Sequence, residues 1–173
     1  VFMNGADSNP YIELSVNGNK NFIKNNVENN IFLRNTAGKG IAVNNSKNID
    51  IKNNFFGNLE GKTDAIKMIP SLEDKLAMVE APRLTTSEQG NFVSAISSQN
   101  DQDILIQNNY FNLVKDLENS EHIIQIQEFT NAQVVANYFK GQENGVAGGV
   151  KITNATNAYI GSNHFSNVPL FVS

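Results

Sequence analysis

The stretch "NNSKNIDIKNNFFGN" at residues 44 to 58 carries the most structural information in this chain. Its centre alternates Ile49 and Ile51 with Asp50 and Lys52, the period-2 signature of a strand with one buried face. An asparagine pair follows, then two aromatic residues, then a glycine. The same order returns in "NNYFNL" at 108 to 113, "ANYFKG" at 136 to 141 and "SNHFSN" at 162 to 167. Taking the asparagine before each aromatic pair as an anchor gives Asn54, Asn109, Asn137 and Asn163. "KNNVEN" at 24 to 29 supplies a weaker first copy anchored on Asn26. The spacings are 28, 55, 28 and 26 residues, so 55 reads as about two periods.

Other positions agree in register with the anchors. Three residues earlier stand Ile23, Ile51, Ile106, Val134 and Ile160, all β-branched. Six earlier stand Lys20, Asn48, Asp103, Asn131 and Asn157, mostly turn formers. Two residues later stand Phe56, Phe111, Phe139 and Phe165, with Glu28 breaking the pattern in the first copy. Second strands are expected at "GIAV" (40), "DAIKMI" (64), "NFVSAI" (91), "HIIQIQ" (122) and "GVKI" (149). Each repeat therefore reads as short strand, asparagine turn, aromatic pair, loop and second strand.

Composition supports this reading. Of 173 residues 29 are Asn, a poor helix and strand former that tolerates turns and left-handed backbone. That excludes the helical repeats of similar length, and the chain lacks the leucine framework of a leucine-rich repeat. A net charge of −4 with two arginines gives no basic face for nucleic acid. There is no apolar run long enough to span a membrane. Cysteine is absent, which removes disulfides and thiolate metal sites and suits a secreted or phage protein.

With "NNSKNIDIKNNFFGN", "QDILIQNNYF" and "NATNAYIGSNHFSN" in register, the chain resembles the right-handed parallel β-helix family, the pectate-lyase-like fold. The resemblance covers nearly the whole chain except residues 70 to 90. It implies an all-β solenoid of about five coils at ~4.8 Å steps, forming a single domain over 1–173. The anchor asparagines are expected to stack inside, satisfying backbone groups at each bend, with stacked phenylalanines filling the core. The intervening Phe55, Tyr110, Tyr138 and His164 are expected to form an external aromatic row. Residues 70 to 90 are read as an insertion. It carries a short amphipathic helix near 71 to 80, with a capping-box spacing in "SLED" and an apolar face of Leu72, Leu76 and Val79. The abrupt opening and the apolar close "NVPLFVS" suit a segment of a longer protein.

The resemblance also implies a substrate class, acidic polysaccharides. Lyases of this kind use a base beside a uronate carboxylate and a cation to neutralise it. The outward row expected from the second strands is Ala42, Lys67, Ser94, Gln125, Lys151 and Phe171. Lys67, Gln125 and Lys151, with His122 close by, are the candidates for binding an acidic chain. Tyr110 and Tyr138 are the candidates for stacking on neutral sugars. No catalytic set is complete: the paired aspartates, histidine and Arg-x-Lys of the hydrolases are missing, as is the epimerase signature. No cofactor is expected; Ca²⁺ would suit the class, but no acidic cluster has its spacing, and no histidine pair suggests zinc. Three functions fit: a polysaccharide lyase, a non-catalytic adhesin or glycan-binding module, and a structural β-helix of a phage tailspike, trimerising along one face. All three place the chain outside the cell, on a cell surface or on a virion.

Overall fold

The computed structural model describes residues 1–5, 9–15, 24–35, 38–57, 59–79, 94–112, 122–141 and 148–168. It is mostly parallel β-sheet with two short helices. The strands are β1 (Phe2–Gly5), β2 (Ile12–Ser15), β3 (Asn25–Glu28), β4 (Ile31–Asn35), β5 (Lys39–Asn44), β6 (Lys47–Lys52) and β7 (Phe55–Gly57). Two helices follow, α1 (Lys62–Met68) and α2 (Glu73–Ala77), each entered through a single 3-10 turn. Then come β8 (Ser94–Gln99), β9 (Gln102–Gln107), β10 (Tyr110–Asn112), β11 (His122–Val135), β12 (Tyr138–Lys140), β13 (Gly148–Gly161) and β14 (His164–Ser166).

The sequence repeat becomes a repeat of strand pairing. One parallel sheet runs β1-β4-β7-β10-β12-β14, and its register aligns Phe2, Phe32, Phe56, Phe111, Phe139 and Phe165. A second sheet runs β2-β5-β8-β11-β9-β6-β3, with β13 also paired to β11. The long β11 bends, so its first half pairs with β8 and its second half with β9. Ile41, Ile96, Ile124 and Val150 align on the inner face of one half, and Val27, Ile51, Ile106, Val134 and Ile160 on that of the other. These rows and the phenylalanines make one core, with ring centroids 4.6–5.0 Å apart along the Phe stack.

The turns explain the asparagine content. Among the described residues fourteen non-glycine positions have positive φ, and ten of them are Asn. All but Asn167 fall at three corners of the repeat: Asn45, Asn100, Glu128 and Asn154; Asn48, Asp103, Asn131 and Asn157; Asn29, Asn53, Asn108, Ala136 and Ser162. The left-handed region costs most residues about 1–2 kcal/mol, and Asn is among the few that visit it routinely. Gly57, with φ +122°, ends β7 where any Cβ would run into the Asn112 carbonyl.

The anchor asparagines form an internal ladder. Asn109 Oδ1 accepts from the Asn54 N–H and Nδ2, both at 3.0 Å. Asn137 Oδ1 does the same for Asn109 at 2.9 and 3.0 Å, and Asn163 Oδ1 for Asn137. Each Nδ2 also donates to a carbonyl of the preceding repeat: Val27, Ile51, Ile106 and Val134. Asn54, Asn109 and Asn137 are buried.

Three expectations need correction. The first anchor is Asn30, not Asn26: the Asn30 N–H donates to Asn54 Oδ1 at 3.0 Å, and Phe32 aligns with Phe56. Its spacing to Asn54 is 24 residues, and Asn26 aligns with Asp50 instead. Second, the 55-residue interval is a single repeat, because β6 pairs directly with β9 and β7 with β10. Third, the helical insertion starts earlier than residue 70. "DAIKMI" is not a strand: it lies in α1, and Ala65, Ile69, Leu72 and Leu76 all turn one buried face inward. The expected helix at 71 to 80 shortens to α2, with Leu72 and Leu76 buried and Val79 half-buried as its spacing predicts. Ser71 does not cap it, because its hydroxyl donates instead to Asn29 Oδ1 at 2.6 Å. Lys75 Nζ donates to the Asn29 carbonyl, so both contacts tie the helices to the same left-handed turn. Residues 80–90 of the insertion, and residues 91–93 at the start of "NFVSAI", lie outside the described residues.

Candidate functional site

On the half of the sheet built from β5, β8, β11 and β13, alternation turns every second residue outward. Two outward rows result. One aligns Glu13, Ala42, Ser97, Gln125 and Lys151; the other aligns Ser15, Asn44, Gln99, Gln127 and Thr153. A groove of about 410 Å³ opens on this face, lined by Lys39, Ser97, Gln99, Gln125, Gln127 and Lys151, with Ser98, Ile126, Thr153 and Asn154. Its chemistry is amide, hydroxyl and ammonium, and none of its described lining residues is a carboxylate or an imidazole.

The structure thus joins Gln125 and Lys151, which are direct register partners on neighbouring strands. It does not bring Lys67 to them. Lys67 lies on α1, exposed, with its Nζ 3.4 Å from Asp64 Oδ1, because the segment is helical rather than a second strand. Ser94 is displaced too: it is buried one row inward, and Ser97 holds the outward place. Phe171 lies outside the described residues. His122 opens β11 opposite Gly148, half-buried and not part of the groove lining. The signal for the second row was present in the alternation of "HIIQIQ", where Gln127 repeats the side of Gln125.

The aromatic row forms, but not as an external surface throughout. Phe55, Tyr110, Tyr138 and His164 stack with centroids 5.8, 4.9 and 4.6 Å apart. Phe55 and Tyr110 are 0% and 1% exposed, because Leu59, Ala65, Ile69, Leu72 and Leu76 of the insertion pack over them. Tyr138 is half-buried at the rim and His164 is exposed. Tyr110 therefore cannot meet a sugar in this arrangement; it belongs to a second, smaller core. Burial pushes its hydroxyl up to about 12, with smaller contributions from Tyr138 and Asp64. Its Oη is buried without a hydrogen-bond partner.

On the other half of the sheet, Asp50 faces outward between Lys24 Nζ at 2.7 Å and Lys52 Nζ at 2.5 Å. Burial alone would raise its carboxyl, but the hydrogen bonds and charges of the two lysines outweigh that and hold it below the usual range. An ion-paired carboxylate of this kind is a pin between neighbouring strands rather than a free base. Among the described residues no group of three or more His, Asp or Glu side chains could hold a metal ion, and no helix is long and apolar enough to cross a membrane. The chain matches no protein-family model, no curated protein and no solved structure.

Proposed function

We propose that this chain is a segment of a right-handed parallel β-helix that recognises an extended, acidic polysaccharide along the Gln125–Lys151 face, outside the cell. The observation that carries the reading is the groove: two registered rows of polar side chains on successive strands, with Lys39 and Lys151 in its lining. Parallel strands repeat equivalent side chains at ~4.8 Å, a pattern that suits a polymer better than a compact ligand. The absence of a carboxylate or imidazole among the described lining residues favours recognition over cleavage as the reading to test first.

The test is a glycan array probed with the purified chain, paired with an ultraviolet assay for unsaturated uronate products. Binding to uronate or sulfated polymers, weakened by Lys151→Ala and by added salt, supports the proposal. Product formation would convert the reading to a lyase. Absence of binding to every polyanion on the array defeats it.

A further inference from the structure

We infer that the groove takes a flat, diequatorially linked glycan laid across the strands, with its two edges read by two separate rails. The inference rests on the polysaccharide reading and specifies its geometry. Ser97, Gln125 and Lys151 form one rail, and Gln99, Gln127 and Thr153 the other, each in direct register over β8, β11 and β13. Positions two apart on a strand put the rails ~6.6 Å apart, and each strand step along a rail is ~4.8 Å. Between the rails the strand turns its side chains to the core, so Ser98 and Ile126 contribute a floor to the groove. The Ser98 hydroxyl is spent on Asp101 Oδ2 at 2.6 Å and is buried, so it does not compete for ligand.

A floor of main chain between two parallel lines of amides and hydroxyls matches a ribbon with hydroxyls along both edges. Diequatorial linkages give such a ribbon; diaxial linkages buckle the chain and turn each edge away in alternation. The rails also differ, because only the first carries an ammonium, at Lys151. Successive sugars in such a ribbon are flipped, so every second carboxylate of an acidic chain would face that rail.

The experiment compares two hexamers of equal charge by calorimetry: a mannuronate hexamer, linked diequatorially, and a galacturonate hexamer, linked diaxially. The inference expects the mannuronate hexamer to bind at least about tenfold more tightly, and expects Gln125→Ala and Gln127→Ala each to weaken it about fivefold, as loss of one hydrogen bond from either rail would. Equal affinity for the two hexamers, or tighter binding of galacturonate, overturns the ribbon geometry while leaving acidic-polysaccharide recognition standing. So does a Gln127→Ala variant that binds like the parent while Gln125→Ala is weakened. If neither hexamer binds, the ribbon inference fails, while the recognition reading stands or falls on the glycan array.

Discussion

Replacing Asn109 with leucine tests the internal ladder at its centre. The asparagine is fully buried, and its side chain makes four hydrogen bonds. Leucine has nearly the same shape but no polar atoms. The Asn54 N–H and the Ile51 carbonyl would each lose a partner in the core, while Asn54 Nδ2 and Asn137 Oδ1 would each lose one contact. An unsatisfied buried group costs about 1–3 kcal/mol, so two backbone groups give about 2–6 kcal/mol before relaxation. Local movement and the apolar gain of leucine offset part of this, leaving about 3 kcal/mol, or about 6–12 °C in Tm for a domain of this size. Two further variants calibrate the number. Asn163→Leu removes a half-buried member of the same ladder and should cost roughly half as much, since solvent can reach the orphaned groups. Asn131→Gly removes an exposed side chain whose Nδ2 bonds Asp103 Oδ1 at 2.8 Å, and glycine keeps its left-handed φ of 59° without strain. It should fall within about 0.5 kcal/mol of the parent. Urea unfolding followed by circular dichroism measures all three. An Asn109→Leu variant as stable as Asn131→Gly would refute the reasoning.

Tyr110→Phe should stabilise the chain by about 1 kcal/mol, because it deletes a buried hydroxyl with no partner. The raised folded-state value means that Tyr110 contributes stability fully present below the unfolded value of about 10, and lost as pH rises toward about 12. The variant should therefore lose less stability than the parent in alkaline melts. Asp50 has the opposite sign: its depressed value contributes stability above the unfolded value of about 3.9, lost as pH falls through the lower folded value. Asp50→Asn should lower the melting midpoint at neutral pH and converge with the parent in acid. Leu76→Ala, at a fully buried position under the helices, should cost about 2–5 kcal/mol and remove amide-exchange protection from α2; full protection in the variant would mean that the helices do not depend on that contact.

The repeat was legible because one residue type does a job that few others can do. Asparagine recurs where the backbone turns left-handed, and inside the ladder its short amide both donates and accepts. That fixed the parallel register of Phe56, Phe111, Phe139 and Phe165 from spacing alone. The first repeat is harder to place from sequence because "KNNVEN" offers the asparagines but not the aromatic, whereas "NNIF" at 29 to 32 has both, with isoleucine in the first apolar place. The start of the insertion is obscured for a related reason. "DAIKMI" passes for a strand when taken alone, but residues 59 to 90 contain no asparagine, the mark of a segment outside the repeat. Its helical spacing of Ala65, Ile69, Leu72 and Leu76 needed the whole stretch to be read together.

The surface was less legible than the core. Alternation correctly turned Gln125 and Lys151 outward, yet it could not show that the helices fold back over Phe55 and Tyr110. That contact is long-range, an apolar packing accompanied by hydrogen bonds from Ser71 and Lys75 to the Asn29 turn. A residue that points away from one core is not thereby exposed: Tyr110 faces a second core supplied from elsewhere in the chain.

Amide chemical-shift mapping by NMR, during titration with an oligouronate, tests the central claim most directly. The account predicts that the largest shifts fall on Ser97, Gln99, Gln125, Gln127, Lys151 and Thr153, the two outward rows of the groove. Shifts centred instead on Tyr138 and His164 or on α2, or none at saturating oligouronate, would contradict it.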